Sequence, residues 1–106
     1  MDSILQGTTP TLTIAIDPTD FDVSNVVALE LAVQQQDNIL LYNITDVIID
    51  PVGNTVSRTF TQAETLAFIP GVWLTVQARF KFADGSIVGT NKMKFNVDDF
   101  ISPEVL

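Results

Sequence analysis

Residues 71–97 read GVWLTVQARFKFADGSIVGTNKMKFNV, two alternating runs joined by Ala83-Asp84-Gly85-Ser86. Asp-Gly between alternating apolar runs is the strongest short-range signal for a β-hairpin. With Asp84-Gly85 as a two-residue loop, paired residues sum to 169. Phe82 then faces Ile87, Ala78 faces Asn91, Val76 faces Met93, Leu74 faces Phe95 and Val72 faces Val97. Those pairs are almost all apolar, so one register defines both the pairing and the core face. The opposite face collects Trp73, Thr75, Gln77, Arg79, Lys81, Val88, Thr90, Lys92, Lys94 and Asn96.

Working outward, the flanking segments are also short and mostly strand-like. Thr11–Ile16 alternates, with Leu12, Ile14 and Ile16 on one side; Asp17-Pro18 ends it. Val26–Val33 places Val27, Leu29, Leu31 and Val33 on one face. The strict period of two favours a strand there over the helix that its Leu, Ala and Glu content would allow. Ile39–Ile49 is one bent strand or two short ones broken near Asp46, and Asp50-Pro51-Val52-Gly53-Asn54 is a turn into a return strand, Thr55–Phe60. Thr61-Gln62-Ala63-Glu64 matches a capping box, which predicts one or two helical turns near 61–67 before Pro70-Gly71. The expected architecture is an all-β, immunoglobulin-like antiparallel sandwich of about seven strands with a long C-terminal hairpin over 72–97. A small open barrel is the alternative. Residues 1–10 read as an N-terminal arm, 11–97 as the sandwich domain and 98–106 as a C-terminal tail.

At 106 residues this is one domain, able to bury a core without crosslinks. It has no cysteine and no histidine. Disulfides, thiolate metal sites and the commonest general base are therefore excluded. No apolar run approaches the roughly 20 residues of a membrane span, and no signal peptide is expected at Met1–Gly7. The net charge of −8 disfavours nucleic acid and anionic membranes. Its distribution is uneven. Four of the five cations lie in 71–97 against Asp84 alone, giving +3, while Arg58 stands against twelve acids in the remainder, giving −11.

No catalytic residue is expected, because no nucleophile motif or glycine-rich phosphate loop is present. No cofactor is expected either. Asp17, Asp20 and Asp22 have the oxygen ligands that calcium wants but not the spacing or glycine of a calcium loop; turn and capping roles are the plainer reading. The basic stripe Arg79, Lys81, Lys92 and Lys94 has three readings. The plainest is a solvated outer face with exposed ion pairs, to Glu30 for example, each worth about 0–1 kcal/mol. A protein contact comes next. Nucleic acid comes last, since Trp73 is the only aromatic beside the stripe. Tryptophan and arginine are enriched at interface hot spots, so Trp73, Arg79, Lys81, Lys92 and Lys94 are the expected partner-binding set.

Two segments carry a resemblance: Gln6-Gly7-Thr8-Thr9-Pro10-Thr11 and Thr59-Phe60-Thr61-Gln62-Ala63-Glu64-Thr65-Leu66-Ala67-Phe68. With Val76-Gln77-Ala78-Arg79 and the acidic-apolar tail 98–106, they resemble small proteins encoded in the structural-gene regions of tailed phages and prophages of gut Firmicutes. In that family the middle segment is TLTQEDTLKF-like; here Ala63-Glu64 departs from it but keeps the cap. The resemblance implies a non-enzymatic virion structural or accessory protein, made in the host cytoplasm and placed in the virion at the head, neck, tail or baseplate. It implies other phage structural proteins and symmetric copies of the chain as partners; the charge balance adds the expectation of no nucleic acid and no membrane. The alternative is a carbohydrate- or receptor-binding module at a host-facing tip, for which Trp73, Tyr42 and Phe21 are the available aromatics.

Overall fold

The computed structural model describes residues 3–102 and 104–106, and these form a two-sheet β-sandwich. In chain order the strands are β1 (Ser3–Leu5), β2 (Thr11–Ala15), β3 (Val26–Gln35), β4 (Asn38–Asn43), β5 (Ile48–Asp50), β6 (Thr55–Thr59), β7 (Leu74–Phe82), β8 (Ile87–Gly89) and β9 (Met93–Asp98). One helix, α1 (Gln62–Ala67), joins β6 to β7. The larger sheet runs β1-β9-β7-β3-β4, with β8 also paired to β7; the smaller runs β2-β6-β5. In the lettering of immunoglobulin domains, β2, β6 and β5 hold the places of strands B, E and D. Strands β3, β7 and β8–β9 hold those of C, F and G, with β4 added beside C. Strand β1 is the parallel partner of β9, so Ser3–Leu5 of the expected arm belong to the sheet.

The two sheets meet through alternate side chains. Leu29, Leu31 and Val33 of β3 and Leu74, Val76, Ala78 and Phe80 of β7 face Leu12 and Ile14 of β2 and Val56 of β6, all buried. Phe60 stacks edge-on with Phe68 at 5.7 Å, carrying the core to the end where α1 sits. Phe21 packs on Phe80 and Phe82 at 5.1 and 5.2 Å at the other end.

The hairpin register holds in part. Leu74 pairs Phe95 and Val76 pairs Met93, as the sum of 169 requires. Nearer the turn, Phe80 pairs Val88 and Lys81 pairs Ile87, a sum of 168. The loop has three residues, Ala83-Asp84-Gly85, with Gly85 at φ +87°; Phe82 N donates to the Ser86 carbonyl and Gly85 N to that of Phe82. Asp84 caps this turn by accepting from Ser86 N (2.8 Å) and Oγ (2.6 Å), which leaves glycine for the left-handed position. The lost residue is restored by a bulge at Thr90–Lys92, where Thr90 N donates to the Ala78 carbonyl and Thr90 Oγ1 accepts from Ala78 N. Ile87 is therefore not a core residue facing Phe82; it lies outward beside Lys81 and is 62% exposed. Val88, not Ile87, is the one opposite buried Phe80. Ala78 faces Thr90 rather than Asn91, and the strand begins at Leu74, not Val72.

A second bulge, between Val26 and Ala28, corrects the expected face of β3. Val26 turns inward and Val27 outward, 53% exposed. The segment expected to bend near Asp46 forms β4 and β5, separated by a 3-10 turn over Ile44–Asp46 that Asn43 and Asp46 cap reciprocally.

Three buried polar side chains close the sandwich, each at a crossing between sheets. Thr65 of α1 accepts from Gly7 N (3.1 Å) and donates to the Thr8 carbonyl (2.8 Å). Gln35 donates to the Ile69 and Val72 carbonyls (2.8 and 3.0 Å) and accepts from Ile69 N (2.7 Å), fixing the Pro70-Gly71 passage into β7. Asn54 does the same at the far end. It accepts from Val23 N (2.9 Å) and donates to the Ile16 and Phe21 carbonyls (2.9 and 3.0 Å). Such groups are stable in a core only when their hydrogen bonds are made.

Candidate interaction surface

The outer face of the larger sheet has strict cross-strand rows. Lys94 of β9 lies beside Thr75 of β7, then Gln34 of β3 and Ile39 of β4. Gln77 is followed by Ala32 and Leu41. Gly89 of β8, Arg79, Glu30 and Asn43 form the next row, and Ile87, Lys81 and Ala28 the last. Arg79, Lys81 and Lys94 thus share one outward face, with Trp73 exposed just before β7 at 46%. Lys92 is exposed but sits in the bulge between β8 and β9 rather than on a paired strand. Arg79 is partly neutralised by Glu30 at 3.1 Å. Being exposed, this pair contributes about 0–1 kcal/mol.

What sequence reasoning missed is the other half of this face. Ile39 and Leu41 project from β4 and are 56% and 59% exposed; with Ala28 and Ala32 of β3 they put an apolar strip next to the basic one, while Ile87 lies on the other side of Lys81. The neighbour relation of β3 and β4 was visible only as an apolar run on both sides of residues 39–49. The strip is a surface because β4 is an edge strand with a solvent-facing outer side.

The strongest side-chain cluster lies beneath that edge. Tyr42 Oη donates to Glu64, and the Arg58 guanidinium sits 4.3 Å from the Tyr42 ring centroid. Arg58 Nη2 meets Glu64 Oε1 at 2.8 Å, and Nη1 donates to the Asp46 carbonyl at 3.0 Å. Glu64 also completes the capping box of α1 through Thr61 N (2.8 Å). Burial by itself raises the Glu64 pKa. Hydrogen bonds from Tyr42 and Thr61, with the Arg58 charge, outweigh it and hold the carboxyl below its usual range. The Tyr42 hydroxyl is pushed well above the ordinary tyrosine value by burial, and further by its bond to the Glu64 carboxylate. Strands from both sheets and α1 are joined here, so the cluster is a clamp on one side of the sandwich. Capping named Glu64 in advance; nothing in the sequence pattern joined it to Tyr42 and Arg58.

The acids of the first loop have local work. Asp17 accepts from Thr19 N and Oγ1, and Asp22 from Ser24 N and Oγ, which lowers both carboxyl pKa values. Of the aromatics considered for glycan stacking, Tyr42 is held in the clamp and Phe21 by Phe80 and Phe82. Trp73 is the one of the three that stays free on the surface.

The two segments carrying the family resemblance turn out to be in direct contact. Gln6 Nε2 donates to the Phe68 carbonyl (2.7 Å), Gln62 Nε2 to that of Gly7 (3.1 Å), and Thr65 holds Gly7 and Thr8. Gly7 makes the turn at φ +76°. These motifs therefore encode a docking of the first crossing on α1, a structural role. No protein-family model and no characterised protein sequence matches the chain.

Proposed function

We propose that this chain is a non-enzymatic assembly module, a virion structural or accessory protein of a tailed phage that works through protein–protein contacts. The observation that carries the reading is the outer face of the larger sheet. Arg79, Lys81 and Lys94 lie there beside exposed Trp73 and the apolar strip of Ile39 and Leu41. Basic, aromatic and apolar groups on one sheet face suit an acidic protein partner, with the charges steering approach and Trp73 and Leu41 giving up water on contact. Tyr42, whose hydroxyl is pushed far up, and Glu64, whose carboxyl is held below its usual range, are bonded to each other and, through Glu64, to α1, which suits a structural clamp rather than chemistry on a substrate. The phage assignment rests on the resemblance of 6–11 and 59–68.

Quantitative mass spectrometry of purified particles tests the assignment. A copy number that fits a capsid or tail symmetry supports it; absence of the chain from particles overturns it. The face is tested by changing Arg79 and Lys81 to Gln together with Trp73→Ala. Incorporation into particles should fall and become independent of salt, and unchanged incorporation would refute a contact through this face.

A further inference from the structure

We propose that β4 pairs edge to edge with β4 of a second copy of this chain, about a twofold axis through Leu40. The strand ends the larger sheet, so one of its backbone edges has no partner strand. Its loop to β3, Gln36-Asp37, is closed by the pair Gln35–Asn38, and an antiparallel ladder alternates strictly from there. Asn38, Leu40 and Tyr42 turn their backbone groups toward β3, while Ile39, Leu41 and Asn43 turn theirs away. The Asn43 N–H bears out this parity, because it leaves the ladder to bond Asp46 Oδ2 at 2.9 Å. That bond also closes one end of the open edge. Ile39 and Leu41 are left with a donor and an acceptor each that no described residue meets.

Proteins blunt such edges with charge, proline or brevity. The smaller sheet follows that rule. Strand β2 lies between Pro10 and Asp17-Pro18 and shows Thr11 and Thr13 outward, and β5 has three residues before Pro51. Strand β4 does not follow it. Its six residues, NILLYN, hold no charge and no proline, and Ile39, Leu40 and Leu41 are all exposed. Leu40 lies on the opposite face from its two neighbours, so a partner seated on the outer face leaves it uncovered. A strand added at the edge reaches both faces at once.

The same residues select the occupant. Two open positions flanking Leu40 are their own complement under a twofold axis. Ile39 meets the partner's Leu41 and Leu41 the partner's Ile39, with about four backbone hydrogen bonds. Leu40 meets the partner's Leu40 beside a cleft of about 250 Å³ lined by Val33, Phe68 and Leu74. Shifting the register by two sets Ile39 against the partner's Asn43, whose N–H is already taken. Charge agrees, since a chain of net charge −8 associates with itself most readily where its acids stay apart, and β4 carries none. The contact is isologous and closes at two copies, joining two larger sheets into one. It goes beyond the assembly role proposed above and shares with that surface only the side chains of Ile39 and Leu41, so either can fail alone.

Sedimentation of the full chain should show a monomer–dimer equilibrium that tightens severalfold as salt rises and screens the like net charges. Cross-linking reads the register, because the sequence holds no cysteine of its own. Under mild oxidation Leu40→Cys should give a disulfide-linked dimer, the α-carbons of that pair lying about 4.5 Å apart. Leu41→Cys should not, since its two copies lie diagonally, beyond the roughly 7 Å reach of a disulfide. Leu40→Glu sets two carboxylates on the axis and leaves the outer face untouched. It should weaken the dimer about tenfold or more with an unchanged circular dichroism spectrum. Changing Arg79 and Lys81 to Gln with Trp73→Ala should leave the dimer intact, whatever it does to incorporation into particles. A chain that stays monomeric up to about 1 mM overturns the proposal. So does a dimer that survives Leu40→Glu, equal cross-linking at positions 40 and 41, or growth beyond two copies. A dimer that dissolves as salt rises, or is lost with the Arg79, Lys81 and Trp73 changes, overturns it in favour of the outer face.

Discussion

Replacing Asn54 is the severest single test of how this sandwich is closed. The residue lies in the β5–β6 turn at φ +53°, buried, and its side chain holds the passage from β2 to β3. Asn54→Ala strips the acceptor from Val23 N, which is itself fully buried, and removes the donor from the Ile16 and Phe21 carbonyls. An orphaned buried donor costs about 1–3 kcal/mol, and carbonyls that lose one of their bonds add a smaller amount. Alanine in the left-handed region adds about 1 kcal/mol more. The expected loss is about 3–5 kcal/mol, a large part of the 5–15 kcal/mol typical of a whole domain. Asn54→Gly loses the same hydrogen bonds without the backbone strain and should be milder by about 1 kcal/mol. Asn54→Asp keeps the acceptor for Val23 but sets a carboxylate against two carbonyls. That raises its pKa in the folded state, so the variant should regain stability as pH falls and the carboxyl becomes a donor. Urea unfolding followed by circular dichroism reads all three, with the denaturant slope unchanged if the native surface is preserved. An alanine loss under about 1 kcal/mol, or equal losses for Ala and Gly, would refute the reasoning.

Thr65→Val, an isosteric change that leaves Gly7 N and the Thr8 carbonyl without the hydroxyl, should cost about 1–3 kcal/mol and expose the N-terminal turn to proteolysis ahead of the rest; equal protection in both proteins would count against the docking. The clamp predicts a pH profile. Glu64 is depressed in the fold, so its contribution is present above the unfolded value near pH 4.3 and is lost as pH falls through the folded one. Tyr42 is raised, so its contribution is complete below about pH 10 and is lost as pH rises beyond that. Stability should therefore plateau between about pH 5 and pH 9. Tyr42→Phe should flatten the alkaline limb, checked by unfolding across pH and by tyrosinate absorbance from the chain's single tyrosine; an unchanged limb would exclude Tyr42 as its source. Gln36 occupies the β3–β4 turn at φ +53°, so Gln36→Gly should raise stability by about 0.5–1 kcal/mol, the left-handed strain less the added freedom of the unfolded chain. A decrease in denaturation midpoint would show that the turn is not strained.

Much of this fold was legible because alternation and capping are local. Leu74–Val76 paired as the pattern demands, and Thr61–Glu64 capped the helix where expected. Errors arose where one residue was inserted or removed. Ala83 joined the loop and Thr90–Lys92 took up the slack, so both ends of the hairpin still looked correct while Ile87 and Val88 exchanged faces. Val27 was misplaced by a bulge of the same kind. Period-two patterns carry no mark of an inserted residue when apolar side chains stand on both faces. The candidate surface was half legible. Cations announced themselves by type, and the register sorted Arg79, Lys81 and Lys94 correctly. Ile39 and Leu41 were not recognised as surface residues because apolar type suggests burial, and only strand order shows β4 to be an edge. Asn54 and Gln35 gave no signal at all, since a buried amide is defined by the distant backbone that it meets.

The bulge at Thr90–Lys92 has a consequence for how the hairpin tolerates change. It works as a slip joint: pairing on the tip side, Arg79–Gly89 through Lys81–Ile87, is indexed separately from pairing on the sheet side, Leu74–Phe95 through Val76–Met93. A residue added or removed near Asp84–Gly85 can be absorbed there without turning Leu74, Val76 or Phe95 away from the core. The tip is thereby free to vary in length and cargo while the sandwich behind it stays in phase, which makes it the natural graft point for a foreign epitope.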